Sequence, residues 1–324
     1  MLYGAYHFHS VFQNDASLPE YKGSTLRGAL GVALKKIVCA LKRQDCPDCL
    51  LRSACIYFKI FESTELDSNT LPPAKAITPT HPFVIQPPLT TSRVFHPYEP
   101  FDFTLLLFGP ANDYLPYFVY AVELMGESGL GRRQKEGRGA FQLLNITKNG
   151  EDIFDPELNR MNFSPPEHIL PDYFSAEECS RLTIELKTPL RLKYRSGYLD
   201  RLPFHHLIRA GLRRARALNI LFGRGDPDLD YRGLISRAEA ISTVDSNLHW
   251  HDWERYSNRQ QRRMKLGGLV GRITYEGPLG EFMPLIRYAE RVHLGKGTSF
   301  GLGWVTILTN EPQKDVRPAD SGEF

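Results

Sequence analysis

Two stretches of this chain share one outline, and that repetition narrows the folds open to it. His293 to Val305 reads HLGKGTSFGLGWV, with Gly295, Gly297, Gly301 and Gly303 inside nine residues. It stands between a helical stretch and an apolar run, Trp304 to Leu308, that reads as a strand. Gly126 to Phe141, GESGLGRRQKEGRGAF, places Gly129 and Gly131 before Arg132, Arg133 and Lys135, sets Gly137 and Gly139 about Arg138, and leads into the strand-like AFQLLNI. Two helix–glycine loop–strand units about 165 residues apart predict two related domains.

Glycine reaches positive φ at little steric cost and has no Cβ, so such a loop can press its backbone N–H groups against something flat or anionic. Lys296 adds a cation to the second loop. Neither loop is a nucleotide fingerprint: a P-loop ending is missing, and the glycines precede a strand where a dinucleotide site needs a helix. The competing reading is a purely structural connection.

The 324 residues are enough for two ordinary domains, each with a core. The 42% hydrophobic and 24% charged content is that of a globular protein in water. No secretory leader pattern opens the sequence and no apolar run reaches membrane-span length, so the expectation is a cytoplasmic chain without a membrane partner. A net charge of +3 does not by itself imply a polyanion, because 40 basic residues nearly balance 37 acidic ones. Distribution is more telling. Acidic residues gather at Glu151, Asp152, Asp155 and Glu157 and in Asp226 to Asp230, while the glycine loops and Arg201 to Arg216 keep a basic excess.

Along the first half, Tyr3 to Phe12 alternates as a strand. A helix follows in KGSTLRGALGVALKKIVCALK, with Leu26, Ala29, Leu30, Ala33, Ile37 and Leu41 at helical spacing behind a Ser24/Thr25 cap. Cys39, Cys46, Cys49 and Cys55 come next, spaced C-x6-C-x2-C-x5-C. Four cysteines so close together in a cytoplasmic chain suit a structural metal site better than disulfides, with zinc ahead of an iron–sulfur cluster. The alternative is a buried helix cysteine beside a redox-labile loop. Leu71 to Pro100 is proline-rich and reads as an extended connection. A strand (Phe101 to Phe108), a helix (Tyr114 to Met125) and the first glycine loop with its strand complete a ferredoxin-like order, one strand of four remaining unplaced.

The boundaries are then 1–148 for the first domain with its cysteine insertion, 149–180 for a linker, 181–309 for the second domain and 310–324 for a disordered tail. In the second domain a basic strand carries Arg191, Lys193 and Arg195. The helix near Arg201 to Phe222 buries Ile208, Leu212, Ala215, Leu218 and Phe222, and aligns His206, Arg209, Arg213 and Arg216 on another face. That row can grip phosphates; a solvated basic face is the competing reading. Gly223 to Asn247 reads as an irregular insertion. WHDWERYSNRQQRRMK then interleaves aromatics with Arg255, Arg259, Arg262, Arg263 and Lys265, a pattern suited to single-stranded RNA.

Together the KGSTLRGALG helix start, the two glycine loops, WERYSNRQQRRMKLGGLVGRITYEG and GKGTSFGLGWV resemble the RAMP superfamily of CRISPR-associated proteins. Within it the likeness is greatest to the repeat-cleaving endoribonucleases that process precursor CRISPR RNA. The resemblance implies an α+β chain of two tandem ferredoxin-like (RRM-like) domains, with CRISPR repeat RNA as substrate and subunits of a CRISPR effector complex as further partners. It also implies metal-independent cleavage, in which the ribose 2′-hydroxyl attacks phosphorus and leaves a 2′,3′-cyclic phosphate. Such chemistry needs a base, an acid and cations.

Many of these enzymes carry a histidine at the first helix, whereas Asn14 to Lys42 contains none. Tyr21 and Lys22 are then the candidates for proton donor and charge stabiliser. His206 is the first choice for the base, followed by His205 and His9; each also has a packing reading. The RNA-binding set comprises Arg209, Arg213, Arg216, Arg259, Arg262, Arg263, Gly295, Lys296, Gly297, Gly301 and Gly303. The rival functions are a non-catalytic RAMP subunit that binds CRISPR RNA and a general RNA-binding adaptor.

Overall fold

Alternation along β1 (Leu2–Phe12) sends Tyr6 and Phe8 into the core beneath two helices, α1 (Gly23–Val38) and α2 (Leu115–Ser128). The computed structural model describes residues 1–42, 44–62, 80–134, 137–158, 160–162, 164–170, 178–195, 197–257 and 262–308. Three further strands, β2 (Phe83–Gln86), β3 (Phe103–Phe108) and β4 (Phe141–Lys148), complete an antiparallel sheet in the order β2–β3–β1–β4. This is a ferredoxin-like domain. Its missing strand, β2, lies within the stretch read as an extended connection, where Pro82 and Pro87 bracket four residues and mask the strand signal.

All six residues of β3 are buried because both faces of the strand are covered. Phe103, Leu105 and Leu107 join the core under α1 and α2. Leu106 and Phe108, with Tyr3 and Val84, face the second domain and share its core. Beyond β4, Glu151–Asp155 and Arg160–Met161 extend the first sheet, and Glu167–His168 pairs with the start of β1. Three short strands within the stretch read as a linker therefore join the first sheet.

The second domain repeats the plan. It contains β5 (Arg181–Leu190), α3 (Phe204–Phe222), α4 (Tyr231–Ala238), β6 (Ser242–His251), β7 (Gly268–Glu276), α5 (Met283–Val292) and β8 (Val305–Leu308). The strand order is β6–β7–β5–β8, the same permutation as in the first sheet. The stretch expected to be irregular thus holds a helix and the start of an edge strand. Between β6 and β7, Glu254–Ser257 and Arg262–Lys265 form a hairpin. The expected tail, 310–324, lies outside the described residues. Among those described, no helix is long and apolar enough to cross a membrane.

Candidate functional site

The second glycine loop holds the two domains together. Gly295, Gly297, Gly301 and Gly303 all have positive φ. A Cβ on Gly301 would lie 2.4 Å from the carbonyl oxygen of Ile85 in β2, and one on Gly23 at the start of α1 would lie 1.9 Å from that of Phe300. The close approach expected of these glycines is therefore made to the chain's own first domain. Tyr21 donates its hydroxyl to the Phe300 carbonyl at 2.7 Å and packs its ring on Trp253 at 4.7 Å. Arg27 donates to Ser299 Oγ at 3.0 Å and lies 4.6 Å from the Phe300 ring. Across the same seam, Arg214 is buried and donates twice to the Val292 carbonyl and once to Thr80.

Two neutral histidines complete the seam. His293 accepts from the Gln86 amide at Nε2, 2.9 Å away, and donates from Nδ1 to the Leu302 carbonyl at 3.1 Å. His81 accepts from Arg27 at 3.0 Å and donates to the Ile60 carbonyl at 3.2 Å. Burial, with nearby guanidinium groups, lowers His293 to about 3 and His81 to about 4.

Beside this seam opens a cleft of about 1480 Å³. Its walls come from α1, the first glycine loop, and the corner of the second sheet where Lys187 of β5, Val270 of β7 and His251 of β6 meet. Cations predominate: Arg27, Lys35, Lys36, Arg93, Arg132, Arg138 and Lys187 line it, against Glu20, Glu62, Asp252 and Glu254. Some are already engaged, since Arg93 pairs with Glu20 at 3.1 Å and Lys187 pairs with Glu185. Lys36, Arg132, Arg138 and His251 are exposed. The indole N–H of Trp253 is buried at the wall without a hydrogen-bond partner among the described residues. Strand register places His249 and His251 on the open face of the second sheet, opposite Val270 and Gly268.

The residues expected to act do not all gather here. Tyr21 lines the cleft, but its hydroxyl is committed to Phe300, and burial raises its pKa well above the ordinary phenol value. Lys22 is fully buried, its ammonium group donating to the carbonyls of Glu20 and Thr90 and lowered by burial to about 8. The α1 cap expected at Ser24/Thr25 is absent: the helix begins at Gly23, and no side chain caps it.

His206 and His205 pack together at 4.2 Å on α3, with His206 also against Tyr194 at 4.6 Å, and neither lines the cleft. Burial lowers the pKa of His206, helped by His205, Arg209 and Arg213. His9 is held by Asp102 and Thr147 on the first sheet. Arg209, Arg213 and Arg216 line a separate groove of about 440 Å³ with Arg232 and Tyr231 of α4, and Arg216 is paired with Asp226 at 2.9 Å. Lys296 is exposed, and its backbone N–H donates to the Arg191 carbonyl. Arg262 and Arg263 lie on the hairpin strand after β6, and Arg259 falls outside the described residues. Sequence reasoning missed His251. The available signal was its alternation with His249 about Trp250.

The cysteines do not assemble as expected. Cys39 ends α1, Cys46 and Cys49 bracket one tight turn, and Cys55 opens the next. All four thiols are free, and no group of three or more ligand-type side chains is gathered among the described residues.

A family model described as an N-terminal domain matches residues 1–166, and one described as CRISPR-associated endoribonuclease Cas6 matches residues 184–305. The match to the Cas6 family is therefore carried by the second domain. An uncharacterized protein of Archaeoglobus fulgidus is 26% identical over 301 residues, spanning 90% of this chain and 92% of its own length. Among solved structures, a Thermus thermophilus Cas6 product complex aligns over 95% of this chain and 99% of its own, at 15% identity and a TM-score of 0.56. A partial Cas6-RT-Cas1–Cas2 complex aligns over 95% of this chain and 46% of its own, at 12% identity and a TM-score of 0.57. At these identities the solved structures establish a shared Cas6 fold.

Proposed function

We propose that this chain cleaves precursor CRISPR RNA within its repeats, in the cleft between the two domains. The supporting observation is the cleft itself, with cations from both domains and one exposed histidine at the sheet corner. The 2′-hydroxyl upstream of the scissile bond attacks phosphorus, His251 either takes the proton of that hydroxyl or gives one to the departing 5′-oxygen while solvent water handles the other proton, and Lys36, Arg132 and Arg138 offset the charge that develops on the phosphoryl oxygens. The bond to the 5′-oxygen breaks, leaving a 2′,3′-cyclic phosphate and a 5′-hydroxyl, with no metal at the reacting atoms. Tyr21 acts by positioning the Phe300 carbonyl and Trp253. The product RNA then passes to subunits of a CRISPR complex.

A non-catalytic RNA-binding subunit is the second reading, favoured by the commitment of Tyr21 and Lys22 to backbone carbonyls. End-group analysis of incubated repeat RNA separates the two. Fragments carrying cyclic phosphate, lost in His251→Ala, support cleavage in the cleft. Tight binding of intact RNA supports the second reading.

A further inference from the structure

The sheet corner that carries His251 has a reverse side. Trp250 points opposite to His251 on β6, toward the helix face of the sheet, and is exposed there. There its ring lies 6.2 Å from Tyr198, and the Arg191 guanidinium sits over Tyr198 at 4.7 Å. Both rings are accessible, Trp250 at 38% and Tyr198 at 44%. Lys193 pairs across a two-strand hairpin with Tyr198, so the two share a face, and the Lys296 backbone N–H binds the Arg191 carbonyl, bringing the second glycine loop alongside.

Arg191 Nε is buried without a hydrogen-bond partner among the described residues. The Asp252 carboxylate accepts from the Trp250 indole N–H at 2.8 Å, which fixes that ring by its edge. Large apolar rings at a surface need a cover, and here the neighbouring charges are mainly positive.

We infer that Trp250, Tyr198, Arg191 and Lys193 form a stacking ledge for an unpaired base of single-stranded RNA, where the strand leaves the cleft and turns around the edge of β6. The inference rests on RNA occupying the cleft but not on the chain cutting it. A π-face accepts any base, and guanidinium and ammonium groups beside it take the flanking phosphates, so the ledge favours unpaired strands without demanding a sequence. It presents no concave pocket for a free nucleotide. An acidic protein segment is the competing occupant.

The test uses the full chain and a fluorescein-labelled eight-nucleotide oligouridylate. Tyr198→Ala weakens binding on the order of tenfold, Tyr198→Phe restores it, and Lys193→Ala lowers the dependence of log affinity on log salt by about one phosphate contact. If repeat RNA is never cut yet Tyr198→Ala still weakens oligouridylate binding, the nuclease reading fails and the ledge stands. Unchanged affinity in Tyr198→Ala overturns the ledge and leaves a protein segment as its occupant. Photocrosslinking of bromouridine-substituted oligouridylate to the parent chain decides the matter without any variant: adducts on Tyr198 or Trp250 support the ledge, and adducts confined to other residues overturn it.

Discussion

Acidification should loosen the seam between the domains, and the size of the effect follows from His81 and His293. Both rings are neutral in the fold, with Nδ1 donating to a carbonyl and Nε2 accepting from Arg27 or Gln86. A proton on Nε2 would remove the acceptor and place a charge in a buried seam near Arg27 and Arg214, which is why both pKa values are depressed, to about 4 and about 3. The unfolded chain takes up these protons below its ordinary histidine value near 6.5, while the folded chain resists until the depressed values are reached. Stability from this source is therefore full above that ordinary value and declines as pH falls.

Between pH 7 and pH 5 the linkage relation gives a loss of about 2 kcal/mol per histidine, so about 4 kcal/mol for the pair. The assay is urea unfolding of the parent and of the His81→Gln/His293→Gln variant at both pH values. Their difference cancels the carboxylates they share. The variant is expected to be less stable at pH 7 but to lose about 4 kcal/mol less on acidification. An equal loss in both proteins would refute the assignment of neutral, seam-forming histidines.

Two further substitutions probe the seam and the cleft. Gly23→Ala forces a Cβ to within 1.9 Å of the Phe300 carbonyl oxygen; thermal unfolding and limited proteolysis should report a loss of about 1–3 kcal/mol and a loosened domain contact. In single-turnover cleavage of repeat RNA, His251→Ala should slow the reaction by about 10²-fold or more with affinity within a fewfold, whereas His206→Ala, outside the cleft, should change the rate little.

Much of this architecture was legible in the sequence because the two halves repeat one hydrophobic plan. The apolar stripe of α3 and the alternation of β1 and β5 reflect burial on one face, which leaves a period in the sequence. β6 was hidden for the opposite reason: its residues are exposed or half-exposed, so no apolar period marks it. β2 was hidden by its flanking prolines. The glycine loops were correctly read as places of close approach, yet sequence does not name the partner, and the second loop approaches β2 and α1. The site was less legible. His206 stands in a basic row on α3 and attracts attention, whereas His251 acquires its place only when β5, β6 and β7 come together at one corner. Lys22, the candidate charge stabiliser, is buried together with Arg214, because backbone carbonyls, among them those of Thr90 and Val292, receive their charged groups.

The measurement that bears most directly on the account is cleavage of end-labelled repeat RNA from the same locus in excess EDTA, beside the same RNA carrying one 2′-deoxy residue at the mapped cut. The account predicts a single cut that persists in EDTA and disappears with the deoxy residue. A cut that needs a divalent metal, or that survives the deoxy substitution, would contradict it.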